Sequence, residues 1–248
     1  MTTIAIEDVI KKIQNLPSLP AVVIELLNSM DQEDIDTSLL AEKIALDQSL
    51  AAKTLRVANS SFYGMQSKVT TIHQAISILG FHSIRTLVTA AALTGSFPSS
   101  GSGFDFQSFW RHSIGTAVCA KFLARQLAIN QEFAFTAGLL HDIGRLVLVT
   151  RFPVEYEAAA AHRLAHDCTM IEAETAVLGI DHALIGSSLA AYWKFPLAMQ
   201  NAVATHHALP EKNKVSLGMV VHVANTFAHA LDLSGAEEDL VPPLAQEV

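Results

Sequence analysis

Ala134-Phe-Thr-Ala-Gly-Leu-Leu-His-Asp-Ile-Gly-Arg-Leu-Val-Leu148 is an almost wholly apolar stretch with two polar side chains at its centre. Its composition predicts a helix that is buried on most sides. His141 and Asp142 lie in the middle, and a buried ionised carboxylate needs a hydrogen-bond donor, a cation or a metal as its partner. Because adjacent helical residues point about 100° apart, the two side chains can converge on one ion. The pair is therefore either a polar contact in the core or part of a site.

Length and composition limit the class of protein. The 248 residues, 50% of them hydrophobic, suffice for one large domain or two closely packed small ones. With 16 basic and 24 acidic residues the net charge is −8, which disfavours general nucleic-acid binding because phosphate backbones are repelled. The apolar residues are spread through helical patterns, so we predict no membrane span and no signal peptide. Cys119 and Cys168 form no recognisable framework, which is typical of free thiols in a reducing cytoplasm.

Helical periodicity recurs along the whole chain, and we find no strand pattern of useful length in its first half. The clearest boundary is the Gly/Ser-rich stretch at residues 95–103. We therefore predict an all-α fold of roughly a dozen helices, a helical bundle with an N-terminal helical subdomain. Its parts are an N-terminal helical part (1–94), a Gly/Ser-rich connection (95–104), the bundle (105–232) and an acidic tail (233–248).

The chain has eleven histidines, and several fall where a helical bundle could gather them. His112 lies early in a predicted helix, and the His141-Asp142 pair follows 29 residues later. His182 and the His206-His207 pair come after it. Imidazole and carboxylate are donors that zinc, iron, manganese and nickel accept. The alternative is a set of core histidines that are hydrogen-bonded to carbonyl oxygens and to Asp142.

Other conspicuous residues have simpler interpretations. Trp110 and Trp193 are expected to anchor the core, and His73 and His82 are expected at the surface or at helix ends. The pair at residues 162 and 166 has the i, i+4 spacing of a metal-binding histidine pair, but its alanine-rich and charged surroundings favour a solvated helix face.

These motifs together resemble the HD superfamily of metal-dependent phosphohydrolases, and more closely its HDOD branch, the HD-related output domain. The resemblance covers almost the whole chain. The matching stretches follow the order of the family: residues 16–20, 47–64, 75–80, 109–112, 137–144, 181–186, 193–196 and 206–207.

The resemblance implies a metal site. HD phosphohydrolases hold one or two metals with a His, a His-Asp pair and a final Asp, and the metal activates a water for attack on phosphorus. By motif, His112, His141 and Asp142 match the first three ligands, and Asn225 stands in the position of the final Asp. The implied cofactor is a divalent transition metal (Fe, Mn, Ni or Zn). Asn225 removes an anionic ligand, which weakens the binding of hard divalent cations. Further candidate ligands are His182, His206 and His207.

Two other positions depart from the related cyclic-di-GMP phosphodiesterases. Arg145 replaces the lysine that follows their His-Asp-Ile-Gly, and Arg is not equivalent to Lys as a compact charge. The His-His pair is followed by Ala-Leu-Pro-Glu-Lys-Asn, without their Glu and Gly-Tyr-Pro loop. Asp142 and Arg145 would be the catalytic residues if the site were active.

The resemblance thus implies a bacterial, cytoplasmic signal-transduction module that acts by binding signalling proteins, with little or no catalysis. Two alternatives stay open. One is a metal-dependent phosphohydrolase acting on a nucleotide or cyclic nucleotide. The other is a sensor that binds a nucleotide ligand without hydrolysing it.

Overall fold

The computed structural model describes residues 3–29, 36–59, 68–97, 104–208 and 215–235, and every regular element in these ranges is an α-helix. The prediction of an all-α fold is confirmed. In chain order the fourteen helices of the described ranges are α1 (Ile6–Gln14), α2 (Ala21–Asn28), α3 (Thr37–Leu46), α4 (Gln48–Ala58), α5 (Ile72–Leu79), α6 (Phe81–Ser96), α7 (Phe106–Gln126), α8 (Gln131–Leu140), α9 (Ile143–Arg151), α10 (Pro153–His166), α11 (Met170–Leu178), α12 (His182–Tyr192), α13 (Leu197–Thr205) and α14 (Leu217–Ala230).

The chain divides into two compact units. One is Pro17–Pro98, and the other combines Met1–Leu16 with Ser99–Val248. α1 packs against α12, and the backbone N–H of Ile4 donates to the carbonyl oxygen of Leu178 at 2.9 Å. The first helix of the predicted N-terminal part (residues 1–94) therefore clusters with the C-terminal helices.

The smaller unit follows its sequence signals closely. Asp36, Asp47 and Thr71 cap α3, α4 and α5, because each side chain accepts a hydrogen bond from a backbone N–H in the first turn. Gly80 ends α5 with a positive φ of 82°, which favours glycine. The apolar Val57 on α4 is 39% exposed. α6 continues through Ser96, so the start of the predicted connection is helical, and residues 98–103 lie outside the described ranges.

The prediction of one buried helix over Ala134–Leu148 is wrong in one respect, because the stretch consists of two helices. α8 ends at Leu140, α9 begins at Ile143, and His141 and Asp142 form the turn between them. The whole stretch Gln131–Arg151 has the length and composition of a membrane span, but 83% of its most apolar window is buried inside the protein. We interpret it as the central core segment of the larger unit.

Two glycines explain why the chain turns here. α8 packs on α7, and a Cβ at Gly138 would lie 2.8 Å from the Cα of Ala117. α9 packs on α12, where a Cβ at Gly144 would collide with the carbonyl oxygen of His182 and lie 2.6 Å from the backbone nitrogen of Gly186. Each half thus approaches a different helix, and the turn places two polar side chains at the corner.

Candidate metal centre

The structure places all the candidate ligands named from the sequence around the turn between α8 and α9. His112 projects from the buried face of α7, and His182 is the first residue of α12. His206 and His207 directly follow α13, and Asn225 lies on the buried face of α14. Three helices, the turn between α8 and α9 and the segment after α13 therefore bring together residues that are as many as 113 positions apart in sequence.

The possible ligand atoms form two overlapping sets that share Asp142. One set is His112, His141 and Asp142, and the other is Asp142, His182, His206 and His207. Within each set the atoms lie within 4.8 Å of one another, and every residue except the half-buried His207 is buried. We refer to them as the first and the second ligand set. Their donors and spacing fit a transition metal, but the geometry leaves the identity of the metal open.

Three of the imidazoles are oriented by hydrogen bonds on the side away from the centre. The Nδ1 atoms of His141 and His206 lie 2.7 Å from the carbonyl oxygens of the residues three positions earlier. The Nδ1 of His182 lies 2.6 Å from Oε2 of Glu174. Because these oxygens only accept, each Nδ1 carries a proton, which leaves the lone pair of a neutral ring on the inward-facing Nε2. Such outer contacts fix the tautomer and orientation of metal-binding histidines.

Asp142 Oδ1 lies among three of these inward-facing nitrogens. Its distances to Nε2 of His182, His206 and His141 are 3.2, 3.3 and 3.5 Å. Oδ1 is buried and has no partner with hydrogen-bond geometry. Three lone pairs facing an anionic oxygen repel it, so the arrangement requires a cation or an added proton. Two of these nitrogens, those of His182 and His206, belong to the second set, and that of His141 belongs to the first. The residues of the second set therefore fit a metal ion.

The surroundings of the ligand residues shift their pKa values and so decide which of them are charged. Burial alone would raise the pKa of Asp142, but His141 and His182 lower that pKa well below its ordinary value. Burial would lower the pKa of His182, yet Glu174 and Asp142 raise it to about 10. Burial holds the pKa values of His141 and His207 well below the ordinary range. Without a metal, one proton on His182 thus stabilises the cluster, and a metal must displace that proton.

The first ligand set differs from the second because a hydrogen bond within it takes the place of a cation. Nε2 of His112 lies 2.8 Å from Oδ1 of Asn225 and 3.3 Å from Nε2 of His141. A proton on Nε2 of His112 can be donated to the amide oxygen, so this contact is favourable without a cation. An aspartate at position 225 would add a charge here that calls for a metal. The neutral amide therefore distinguishes the first set from the second.

A small cleft of about 50 Å³ opens beside the second set. Arg145 and Arg163 line it together with Asp142, His182 and His207. Nη1 of Arg145 donates to Oδ2 of Asp142 at 3.0 Å. Since one water needs about 10–15 Å³ of such volume, the cleft has room for a few waters or a small anion.

Two residues of this centre were not singled out in the sequence, Glu174 and Arg163. Glu174 is fully buried, and it lies four positions before the buried Leu178 on α11. An acidic residue on the apolar face of a helix was the available signal. Arg163 gave no comparable signal, because it stands in the alanine-rich, charged stretch expected to face solvent.

The structure also tests the predictions for the tryptophans and for the histidines expected outside the site. Trp193 is 1% exposed and is confirmed as a core residue, whereas Trp110 is half-buried. His73 and His82 are exposed, as predicted. The rings at positions 162 and 166 stack with centroids 3.9 Å apart, and only the first is partly buried. Within the described ranges, no group of three or more potential ligands occurs away from the centre.

Residues 16–209 match the HDOD domain family, which is well over half of the chain. The chain belongs to the HDOD family. A protein from Shewanella amazonensis SB2B, provisionally assigned as a phosphohydrolase, is 32% identical and has a TM-score of 0.75, covering 90% of this chain and 81% of that one. An HDOD domain protein of unknown function from Geobacter sulfurreducens shares the fold, with a TM-score of 0.80 at 23% identity and coverage of 98% and 84%.

Curated relatives are longer than this HDOD chain. An uncharacterised protein from Treponema pallidum is 23% identical over 84% of this chain but only 41% of its own length. Ribonuclease Y from Mycoplasmoides gallisepticum is 25% identical over 75% of this chain and 29% of its own length. The chain thus spans less than half of these relatives.

Proposed function

We propose that this HDOD domain is a regulatory signal-transduction module that binds one divalent transition metal through the second ligand set. The observation that carries the proposal is Asp142 Oδ1, which is buried beside the oriented imidazole nitrogens of His182 and His206, both of the second set, at 3.2 and 3.3 Å. Fe, Mn, Ni and Zn all suit this donor set.

The preference for the second set follows from charge. Asp142 is the one carboxylate among the ligands, and both sets must share it. His112 and Asn225 are hydrogen-bonded to each other in the first set, whereas the second set has four potential ligands and a buried Glu174 behind His182. A single metal is therefore favoured at the second set.

The surroundings of the metal favour regulation over turnover. Such a metal supplies Lewis acidity and lowers the pKa of a bound water. Arg145 is tied to Asp142, which orients the carboxylate, and the cleft beside the second set accommodates little more than a small anion. The module would then act through contacts with signalling proteins. We also propose that it works in a reducing cytoplasm, in keeping with the free thiols of Cys119 and Cys168.

A metal-dependent phosphohydrolase is the second candidate. Arg145 and Arg163 beside the second set could hold the phosphate of a nucleotide whose remaining part stays outside the cleft. The similarity to the Shewanella protein supports this alternative. A bound nucleotide that is not hydrolysed would use the same two arginines.

A substrate screen separates these functions. The protein loaded with Mn²⁺ or Ni²⁺ is incubated with phosphomonoesters, nucleotides and cyclic nucleotides, beside Asp142→Ala and the surface control His162→Ala. We expect no phosphate release above that of Asp142→Ala for any substrate. Turnover that is retained in His162→Ala and lost in Asp142→Ala would establish the phosphohydrolase instead. A rise in melting temperature with one nucleotide, without turnover, would indicate the sensor.

A further inference from the structure

The outer face of α7 carries an apolar stripe that faces solvent. Ile114, Val118 and Phe122 are 52, 55 and 65% exposed. Because they are four residues apart, they lie within about 80° of one another around the helix axis and span about 12 Å along it. The opposite face of the same helix is buried in the larger unit and includes His112. Three aligned, half-exposed apolar side chains form a stripe on which a partner could bury apolar surface.

The charge of α7 differs from that of the rest of the protein. The helix has three basic residues and no acidic residue in a chain of net charge −8. Lys121 is paired with Glu132 at 2.6 Å, whereas Arg111 and Arg125 are exposed at the two ends of the stripe. The carboxylate of Asp105 at the helix start accepts hydrogen bonds from Ser108 and Gln107, which, with a smaller effect of the nearby charge of Arg111, lower its pKa. The surface is therefore apolar in the middle and basic at both ends.

We propose that this α7 face binds an amphipathic helical segment of a partner protein, with apolar residues at its centre and acidic residues at both ends. The apolar residues would pack on the stripe, and the acidic residues would lie next to Arg111 and Arg125. A second copy of this chain is a poorer occupant, because antiparallel pairing of two α7 helices would place Arg111 of one copy beside Arg125 of the other. The inference rests on the proposed role in protein contacts and does not depend on the metal.

The test uses a synthetic helical peptide with leucines at i, i+4 and i+8 and glutamates at both ends, compared with a peptide that has lysines at the ends. Fluorescence anisotropy with the full chain is expected to show binding of the glutamate peptide that is at least about tenfold tighter. The double substitution Val118→Ser, Phe122→Ser should weaken it about tenfold or more, since both side chains lose apolar contact. Arg111→Glu with Arg125→Glu should reverse the preference. Leu164→Ser, at a 62% exposed site on α10, should change nothing.

Four results would overturn the inference. They are equal binding of the two peptides, no binding, a dimer of the parent that Phe122→Ser dissociates, and binding only after removal of residues 236–248. The third result would identify a second copy as the occupant, and the fourth would identify the acidic segment with Glu237, Glu238 and Asp239. Metal content is measured in the same preparations. A failure of the metal proposal and a failure of this surface are thereby distinguished.

Discussion

Gly144→Ala is expected to lower the melting temperature by roughly 6–12 °C. The added methyl group would collide with the carbonyl oxygen of His182, and backbone atoms cannot move aside as a flexible side chain can. Overpacking of this kind costs about 3 kcal/mol at the upper end of the usual range. For a chain of this size, 1 kcal/mol corresponds to about 2–4 °C. Thermal unfolding followed by circular dichroism measures the change.

Gly95→Ala is the matched control, because both glycines lie in helices. A Cβ at Gly95 would meet only Nζ of Lys53, the mobile end of a long side chain. Alanine is a better helix former than glycine by about 1 kcal/mol, so this variant should be as stable as the parent or slightly more stable. Equal melting temperatures for the two variants would contradict the close packing of α9 on α12.

His182→Ala is expected to weaken metal binding by about 100-fold or more, whereas His112→Ala should change it by less than about threefold. His182 belongs to the second ligand set and is held by Glu174 at 2.6 Å. His112 is engaged with Asn225 instead. Isothermal titration calorimetry of the chelator-treated proteins with Zn²⁺ measures both affinities.

His162→Ala serves as the control, since this residue lies outside both ligand sets. The substitution Asn225→Asp tests the assignment by adding a ligand, whereas the other variants remove one. An added carboxylate beside His112 should create a second site, so the metal content should rise from about one to about two ions per chain. A larger loss of affinity in His112→Ala than in His182→Ala would place the metal at the first set and contradict the assignment.

Much of the fold could be predicted from the sequence, because its signals are local. The side-chain caps at Asp36, Asp47 and Thr71 and the glycine after α5 work within one helical turn. The break at His141 and Asp142 could not be predicted in this way. In a half-exposed helix, a turn appears in the sequence as a break in the regular spacing of polar residues. A helix that is buried on all sides has no such spacing to break. The cause of the break is tertiary, namely the approach of Gly144 to α12.

The candidate site, too, could be predicted from the sequence only in part. The ligand candidates could be named from residue types and from the family resemblance, and the structure brings them together. The difference between the two ligand sets depends on a hydrogen bond between His112 and Asn225, 113 positions apart in sequence, which no spacing rule reveals. Glu174 gave a weak local signal as an acidic residue on the apolar face of α11, but its role depends on a contact with His182 that the sequence does not reveal.

Elemental analysis of the purified protein, prepared without added metal or chelator, is the most direct test of the metal centre. The parent is expected to contain about one equivalent of Fe, Mn, Ni or Zn, and Asp142→Ala, which removes the carboxylate shared by both sets, should contain none. A parent without metal, beside a variant that is folded and merely less stable, would contradict the proposal. His141, Asp142 and His182 would then be a proton-stabilised polar cluster of the core.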